Sequence, residues 1–255
     1  MFCIALQSGS NGNCIYVESA GARLLVDAGI SGIRAERRLA AFGRDIRAVD
    51  ALILSHDHHD HVRCAGIYQR KYGLPVYVTR RTLKAAAGRC PLGRLDDVRH
   101  FTRGSAIRVG GATIETVPTP HDGADGCAFV VEAEGRRLGV LTDLGWVFDA
   151  LPDVIRSLDA VLLESNYDPE MLEHGPYPRA LKERIRGPGG HLSNVEAAEL
   201  LRAAASPRLR WACLSHLSEQ NNTPALALRT HRKRGPRGLK LATASRYEPV
   251  LLPRW

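Results

Sequence analysis

This sequence predicts an α/β fold, on three observations. Short apolar runs alternate with stretches of helical spacing along both halves of the chain. One such run at 51–54 is followed by a helical stretch and a second run at 75–78, which is a β-α-β unit. The 255 residues, 44% of them hydrophobic, suffice for one sizeable core. No Pro/Gly-rich linker or internal repeat marks a boundary, so a single domain spanning 1–255 is expected.

In chain order, a strand at 2–6 leads into Ser8-Gly9-Ser10-Asn11-Gly12-Asn13, a turn-rich loop whose glycines let backbone N–H groups approach an anion. Runs at 14–17 and 23–26 read as a hairpin ending at Asp27-Ala28-Gly29. Asp27 is a candidate for orienting neighbouring side chains by hydrogen bonds; a turn-forming Asp is the plainer reading. Ser31 caps a helix that reaches about Phe42. The 51–54 strand, the segment 55–61, a helix over 62–72 and the 75–78 strand follow, then a short helix at 83–88. Residues 90–101 are polar and without period. Strands return at 107–109, 112–117, 128–131 and 137–141, each bounded by Gly, Pro or Asp. Later apolar runs end at Glu164 and at Leu214, and Ser193 caps a helix over 194–205.

The start of the chain lacks a charged segment followed by a long apolar run, and no apolar stretch is long enough to span a bilayer, so a soluble, cytoplasmic protein without a membrane partner is expected. The six cysteines are scattered singly, which argues against a zinc ribbon or a disulfide framework and for reduced thiols. A net charge of +8 favours polyanionic partners, although arginine can equally serve as an ordinary solubilising residue.

The chemistry concentrates in Ser55-His56-Asp57-His58-His59-Asp60-His61, which contains H-x-H-x-D-H at the end of an apolar strand. Three imidazoles and a carboxylate this close are costly to hold neutral and oriented unless a cation sits among them. Three further strand ends deliver His121, Asp143 and His216. Seven donors without a thiolate suit two metals sharing a carboxylate, each with an open position, as in hydrolytic dinuclear sites.

This pattern, H-x-H-x-D-H with Asp27, His121, Asp143 and His216 in order, resembles the metallo-β-lactamase superfamily over essentially the whole chain. The resemblance implies a four-layer αββα sandwich. It implies that His56, His58 and His121 hold one ion, that Asp60, His61 and His216 hold the other, and that Asp143 bridges; His59 falls at a variable position. The ions would be two divalent cations, Zn²⁺ first, with Mn²⁺ also compatible. Within the superfamily, residues 6–13, Gly190-His191-Leu192-Ser193-Asn194 and His216-Leu217-Ser218-Glu219-Gln220-Asn221-Asn222 look most like the YycJ/WalJ branch, which is associated with 5′-to-3′ DNA exonuclease activity. Relatives include tRNase Z and the phosphodiesterase PhnP. The stretch from Asp143 to His216 is too short for an inserted β-CASP domain.

The resulting expectation is metal-assisted hydrolysis of a phosphodiester by a metal-bridging hydroxide, with nucleic acid, DNA over RNA, as partner. Asp60, His191 and Glu164 are the expected catalytic residues, and Ser193 and Asn194 the expected substrate-binding ones. A Gly-Gly-His segment before a helix N-terminus is also an anion-binding geometry. For His191, general acid and phosphate binder both stay open. The rival readings are a PhnP-like cyclic phosphodiesterase, a thioester, lactone or β-lactam hydrolase, and a nucleic-acid-binding subunit with a vestigial site.

Overall fold

In the computed structural model, which describes residues 1–253, the strands form two seven-stranded sheets and the described residues divide into two compact units. The first unit comprises Met1–Pro118, Gly123–Gly135 and, of the described residues, 245–253. It contains the whole of the first sheet, built from β1 (Phe2–Gln7), β2 (Cys14–Ser19), β3 (Ala22–Val26), β4 (Ala51–Ile53), β5 (Val76–Val78), β6 (Val98–His100) and β14 (Val250–Leu251). Their order is β14-β1-β2-β3-β4-β5-β6. Pairing is antiparallel from β14 to β3 and parallel from β3 to β6. The β-α-β unit expected around the His cluster is present, with Leu52 opposite Val76 and Ile53 opposite Tyr77.

One apolar cluster, including Ile4, Leu6, Tyr16, Leu25, Leu39, Leu52, Val62, Tyr68 and Val76, packs this unit together. Each such large side chain contributes roughly 1.5–3 kcal/mol on burial. The helix expected over 62–72 begins earlier and is broken. Helix α2 (His59–Val62) is separated from α3 (Ala65–Tyr72). Between them Cys64 N leaves the helical pattern to donate to Ala28 O at 3.0 Å, so the break ties the metal motif to the turn after β3. Helix α4 (Arg80–Arg89) starts earlier than the expected residue 83, because Thr79 Oγ1 caps it by accepting from Thr82 N at 3.1 Å. The unplaced stretch 90–101 contains β6.

The second sheet has the order β13-β12-β11-β10-β9-β8-β7. Its antiparallel strands β7 (Ala106–Val109), β8 (Ala112–Pro118) and β9 (Cys127–Ala133) belong to the first unit. The second unit, Thr119–Asp122 and Arg136–Ala244, holds β10 (Arg136–Leu141), β11 (Ala160–Glu164), β12 (Trp211–Ser215) and β13 (Lys240–Thr243), all parallel. Its helices are α5 (Leu151–Arg156), α6 (Pro169–His174), α7 (Arg179–Arg186), α8 (Asn194–Ala204) and α9 (Pro224–Arg234). Parallel strands deliver functional residues at their carboxyl ends, and β10, β11 and β12 lead to Asp143, Glu164 and His216. All six cysteines are buried and none is in a disulfide. No helix among the described residues is long and apolar enough to cross a membrane.

Candidate metal centre

In the first unit the centre is built on the turn after β3. Asp27 adopts a left-handed backbone, φ 66°, which a non-glycine residue accepts at a cost of about 1 kcal/mol or more. That turn aims its carboxylate at the segment after β4. The carboxylate accepts from Ser55 N at 2.8 Å and from Ser55 Oγ at 2.9 Å, and it takes His61 Nδ1–H at 2.7 Å. The single Ser55 hydroxyl proton goes to Asp27, so Ser55 Oγ accepts from His56 Nδ1 at 2.9 Å. Both rings are thereby fixed as Nδ1–H tautomers with Nε2 left as a donor atom. The rings of His56 and His58 lie 4.6 Å apart and those of His56 and His61 4.1 Å apart, centroid to centroid.

The loop before β2 completes this half. Asn13 Nδ2 lies 2.9 Å from His61 Nε2 and 3.2 Å from Asp60 Oδ2, the two electron-rich atoms a cation would use. Asn13 N donates to Asp60 O at 2.8 Å, and Gly29 N donates to Asn13 O at 2.9 Å. This crossing admits no side chain at Gly29, where a Cβ would fall 1.6 Å from Asp60 O. His59, the non-ligand of the motif, is exposed. Asp57 faces the other way and is fully buried, accepting from Ala124 N at 2.6 Å and pairing with Arg89 Nε at 2.6 Å.

In the second unit, His121 Nδ1–H donates to Gly190 O at 2.8 Å, again leaving Nε2. Burial lowers the proton affinity of His121, partly offset by the Asp143 charge, and favours the neutral ring a metal requires. Asp143 and His216 both have left-handed backbones, φ 57° and 56°. One donor atom from each of Asp143, Glu164, His191 and His216 lies within 4.8 Å of the others. Asn166 holds the His216 turn, donating from Nδ2 to His216 O at 2.7 Å.

Glu164 is fully buried, and its carboxylate is committed to internal partners. Oε1 accepts from His191 Nδ1 at 2.7 Å and Asp143 N at 3.2 Å; Oε2 accepts from Leu192 N at 3.0 Å and Leu144 N at 3.1 Å. Burial pushes its proton affinity up. The charge and hydrogen bond of His191, followed by those of His216, outweigh this and hold the carboxyl well below the usual carboxylate range. The His191 ring keeps Nε2 for other partners.

Ser193 caps α8 in a capping box, its Oγ accepting from Glu196 N at 3.1 Å while Glu196 Oε2 takes Ser193 N at 2.8 Å. Asn194 is fully buried in a reciprocal amide pair with Asn222, both bonds 2.9 Å. Expected to touch substrate, both side chains are instead spent on internal bonds. The pair joins the Gly190–Asn194 and His216–Asn222 segments, a link invisible in sequence because its halves lie far apart along the chain.

The imidazoles therefore fit a metal on their own geometry. Ligating histidines characteristically donate their second ring nitrogen to a carboxylate, carbonyl or similar acceptor, and His56, His61 and His121 all do so.

The sequence profile of the β-lactamase superfamily domain matches residues 22–216. The chain is 35% identical to exodeoxyribonuclease WalJ of Streptococcus pneumoniae over 224 residues, covering 87% of this chain and 83% of that protein. It is also 35% identical to exodeoxyribonuclease YycJ of Bacillus anthracis over 225 residues, 87% of this chain and 84% of that one. Among solved structures it is similar to the metallo-β-lactamase fold protein YhfI of Bacillus subtilis, with a TM-score of 0.75 at 16% identity over 98% of this chain and 99% of that one. That likeness carries the fold, the expected αββα sandwich of two mixed sheets with flanking helices.

Proposed function

This chain belongs to the β-lactamase superfamily, and from that premise we propose that it is a metal-dependent exodeoxyribonuclease that degrades DNA from the 5′ end. The observation that carries the reading is the His191–Glu164 pair: a buried carboxylate orients the ring, holds the Asp143 backbone and leaves His191 Nε2 available. The names of the WalJ and YycJ relatives support DNA over RNA as substrate. His56, His58 and His121 would hold one divalent ion, Asp60, His61 and His216 the other, and Asp143 would bridge. Imidazole and carboxylate donors without a thiolate suit Zn²⁺ first and Mn²⁺ second. When bound, such ions neutralise phosphoryl oxygens and make water nucleophilic at neutral pH.

The residues of the chain do the rest. Asp60, besides its ligand role, would serve as a base toward the attacking water. His191 donates from Nε2 to the departing oxygen or to a phosphoryl oxygen. Glu164 acts through His191 as a positioning residue, and Ser193 and Asn194 hold the loop that carries it. The continuous match over 22–216 supports treating the two units as one catalytic domain of residues 1–255 without a β-CASP insertion. We place the activity in the cytoplasm, where six buried thiols stay reduced.

The deciding assay supplies metal and end-labelled single- and double-stranded DNA and RNA beside bis-p-nitrophenyl phosphate and a thioester. The proposal expects a 5′ label to be released early as mononucleotide, from DNA faster than from RNA. Hydrolysis of bis-p-nitrophenyl phosphate with every polynucleotide intact would transfer the site to a small phosphodiester, and a preference for the thioester would overturn both.

A further inference from the structure

The loop of residues 7–13 collects arginines that the metal centre does not use. Arg34 and Arg38, both on helix α1 (Gly32–Ala40), converge on one amide oxygen: Gln7 Oε1 accepts from Arg38 Nη1 at 2.7 Å and from Arg34 Nη1 at 3.4 Å. The same Gln7 donates from Nε2 to Asn11 O at 3.4 Å, where Arg63 Nη2 also donates at 2.8 Å. Arg38 further donates to Leu6 O at 2.6 Å and to Tyr247 O. The buried Gln7 thus gathers two guanidiniums directly and shares the Asn11 carbonyl with a third, that of Arg63, and every oxygen the three bind here is neutral.

Among the described residues none of the three makes an ion pair with a carboxylate. Other arginines of the same unit do: Arg44 sits on Glu18, Arg47 on Glu36, Arg89 on Asp57 and Arg99 on Asp97. The cluster is therefore not simply the general surface habit of an arginine-rich chain. Burial, then the like charge of Arg34, lowers the proton affinity of Arg38, with Glu248 offsetting part of it. An arriving anion relieves that strain, and guanidinium forks match phosphate oxygens geometrically. The loop is also rigidly placed. Gly12 has φ 140°, and a Cβ on it would fall 2.4 Å from Gly29 O. Two residues after Asn11, Asn13 touches Asp60 and His61.

We infer that Arg34, Arg38 and Arg63, gathered by Gln7 and Asn11, form a second phosphate subsite that holds a phosphate of the DNA strand other than the one being cut. It rests on the nuclease reading above and adds to it the means by which a strand, rather than a small diester, is recognised.

The test is binding of a short single strand, labelled at its 3′ end, followed by fluorescence anisotropy in chelator at several salt concentrations. Wild type is compared with Arg34→Gln/Arg63→Gln, leaving Arg38 as the backbone brace, and with 5′-phosphorylated and 5′-hydroxyl strands. Each lost phosphate contact lowers the slope of log affinity against log salt by about 0.7 on a single strand, so the double variant should lose about 1.4 and bind roughly tenfold more weakly. A loss confined to the 5′-phosphorylated strand assigns the terminal phosphomonoester, and an equal loss on both assigns an internal phosphodiester; either supports the subsite. In the metal-loaded enzyme, cleavage of DNA should fall by a larger factor than hydrolysis of bis-p-nitrophenyl phosphate. Unchanged slope and affinity with a wild-type melting temperature would overturn the inference and leave the arginines as a brace. If the double variant unfolds, the exposed Arg34→Gln alone carries the test, with an expected slope change of about 0.7. Wild type that binds DNA with the predicted slope yet cleaves none removes the nuclease reading and keeps the subsite; cleavage unaffected by the variants removes the subsite alone.

Discussion

Hydrogen bonds from three backbone N–H groups and from His191 converge on the Glu164 carboxylate. Replacing one oxygen by an amide NH₂ would set donor against donor, so Glu164→Gln should lower stability by about 1–3 kcal/mol, read from the denaturant midpoint. The same residue explains why His191 has a defined role. If His191 protonates the leaving group, His191→Ala should lower kcat on a poor alkoxide leaving group by ~10²–10⁴-fold and far less on p-nitrophenolate. If it holds phosphate, both substrates should lose similar factors, mostly through KM, and unchanged rates with metals retained would contradict either role. At this scale the candidate donors are legible, because H-x-H-x-D-H is a local pattern and strand ends are easily read. The braces Asn13, Ser55 and Asn166 were not read as such, and neither was the Asn194–Asn222 pair, since each bond depends on a partner brought near only by the fold.

Between elements, the crossing of the turn after β3 with the metal segment is held by backbone contacts that leave no room at Gly29. Gly29→Ala should force Asn13 and Asp60 apart, costing about 2 kcal/mol or more and weakening metal binding. Gly88→Ala, where a Cβ in helix α4 meets nothing within 4 Å, is the control that should melt at or slightly above wild type. Helix α9 is docked by a different device: buried His231, whose Nε2–H donates to Ser165 Oγ at 3.1 Å because that hydroxyl's proton goes to Asn194. Burial lowers its pKa from 6.5 to about 4. The folded value lies below the unfolded one, so this contribution is full above pH 6.5 and is lost as pH falls towards 4, by about 3 kcal/mol in all. Unfolding free energy measured across that window should lose this slope in His231→Phe; an identical slope would contradict it. Apolar runs such as that of β4 were legible as strands because length and flanking turns separate them from helices. Strand β6 was not, being a three-residue, largely exposed element without an apolar alternation.

At the scale of the whole molecule, sheet order depends on pairings that no local pattern carries, such as Ile4 with Leu251, nearly the full chain apart. The motif order alone brought the fold within reach, through its resemblance to a known superfamily. The donors themselves are divided, His56, His58, Asp60 and His61 belonging to the first unit and His121, Asp143 and His216 to the second. The central claim is that these seven act together as one dinuclear centre. Metal content per chain, determined by elemental analysis on wild type and Asp143→Ala, tests it most directly. The account predicts up to two equivalents in wild type and loss at both sites in the variant, because the bridging carboxylate serves both ions. One tightly held ion in wild type, undiminished in Asp143→Ala, would contradict it.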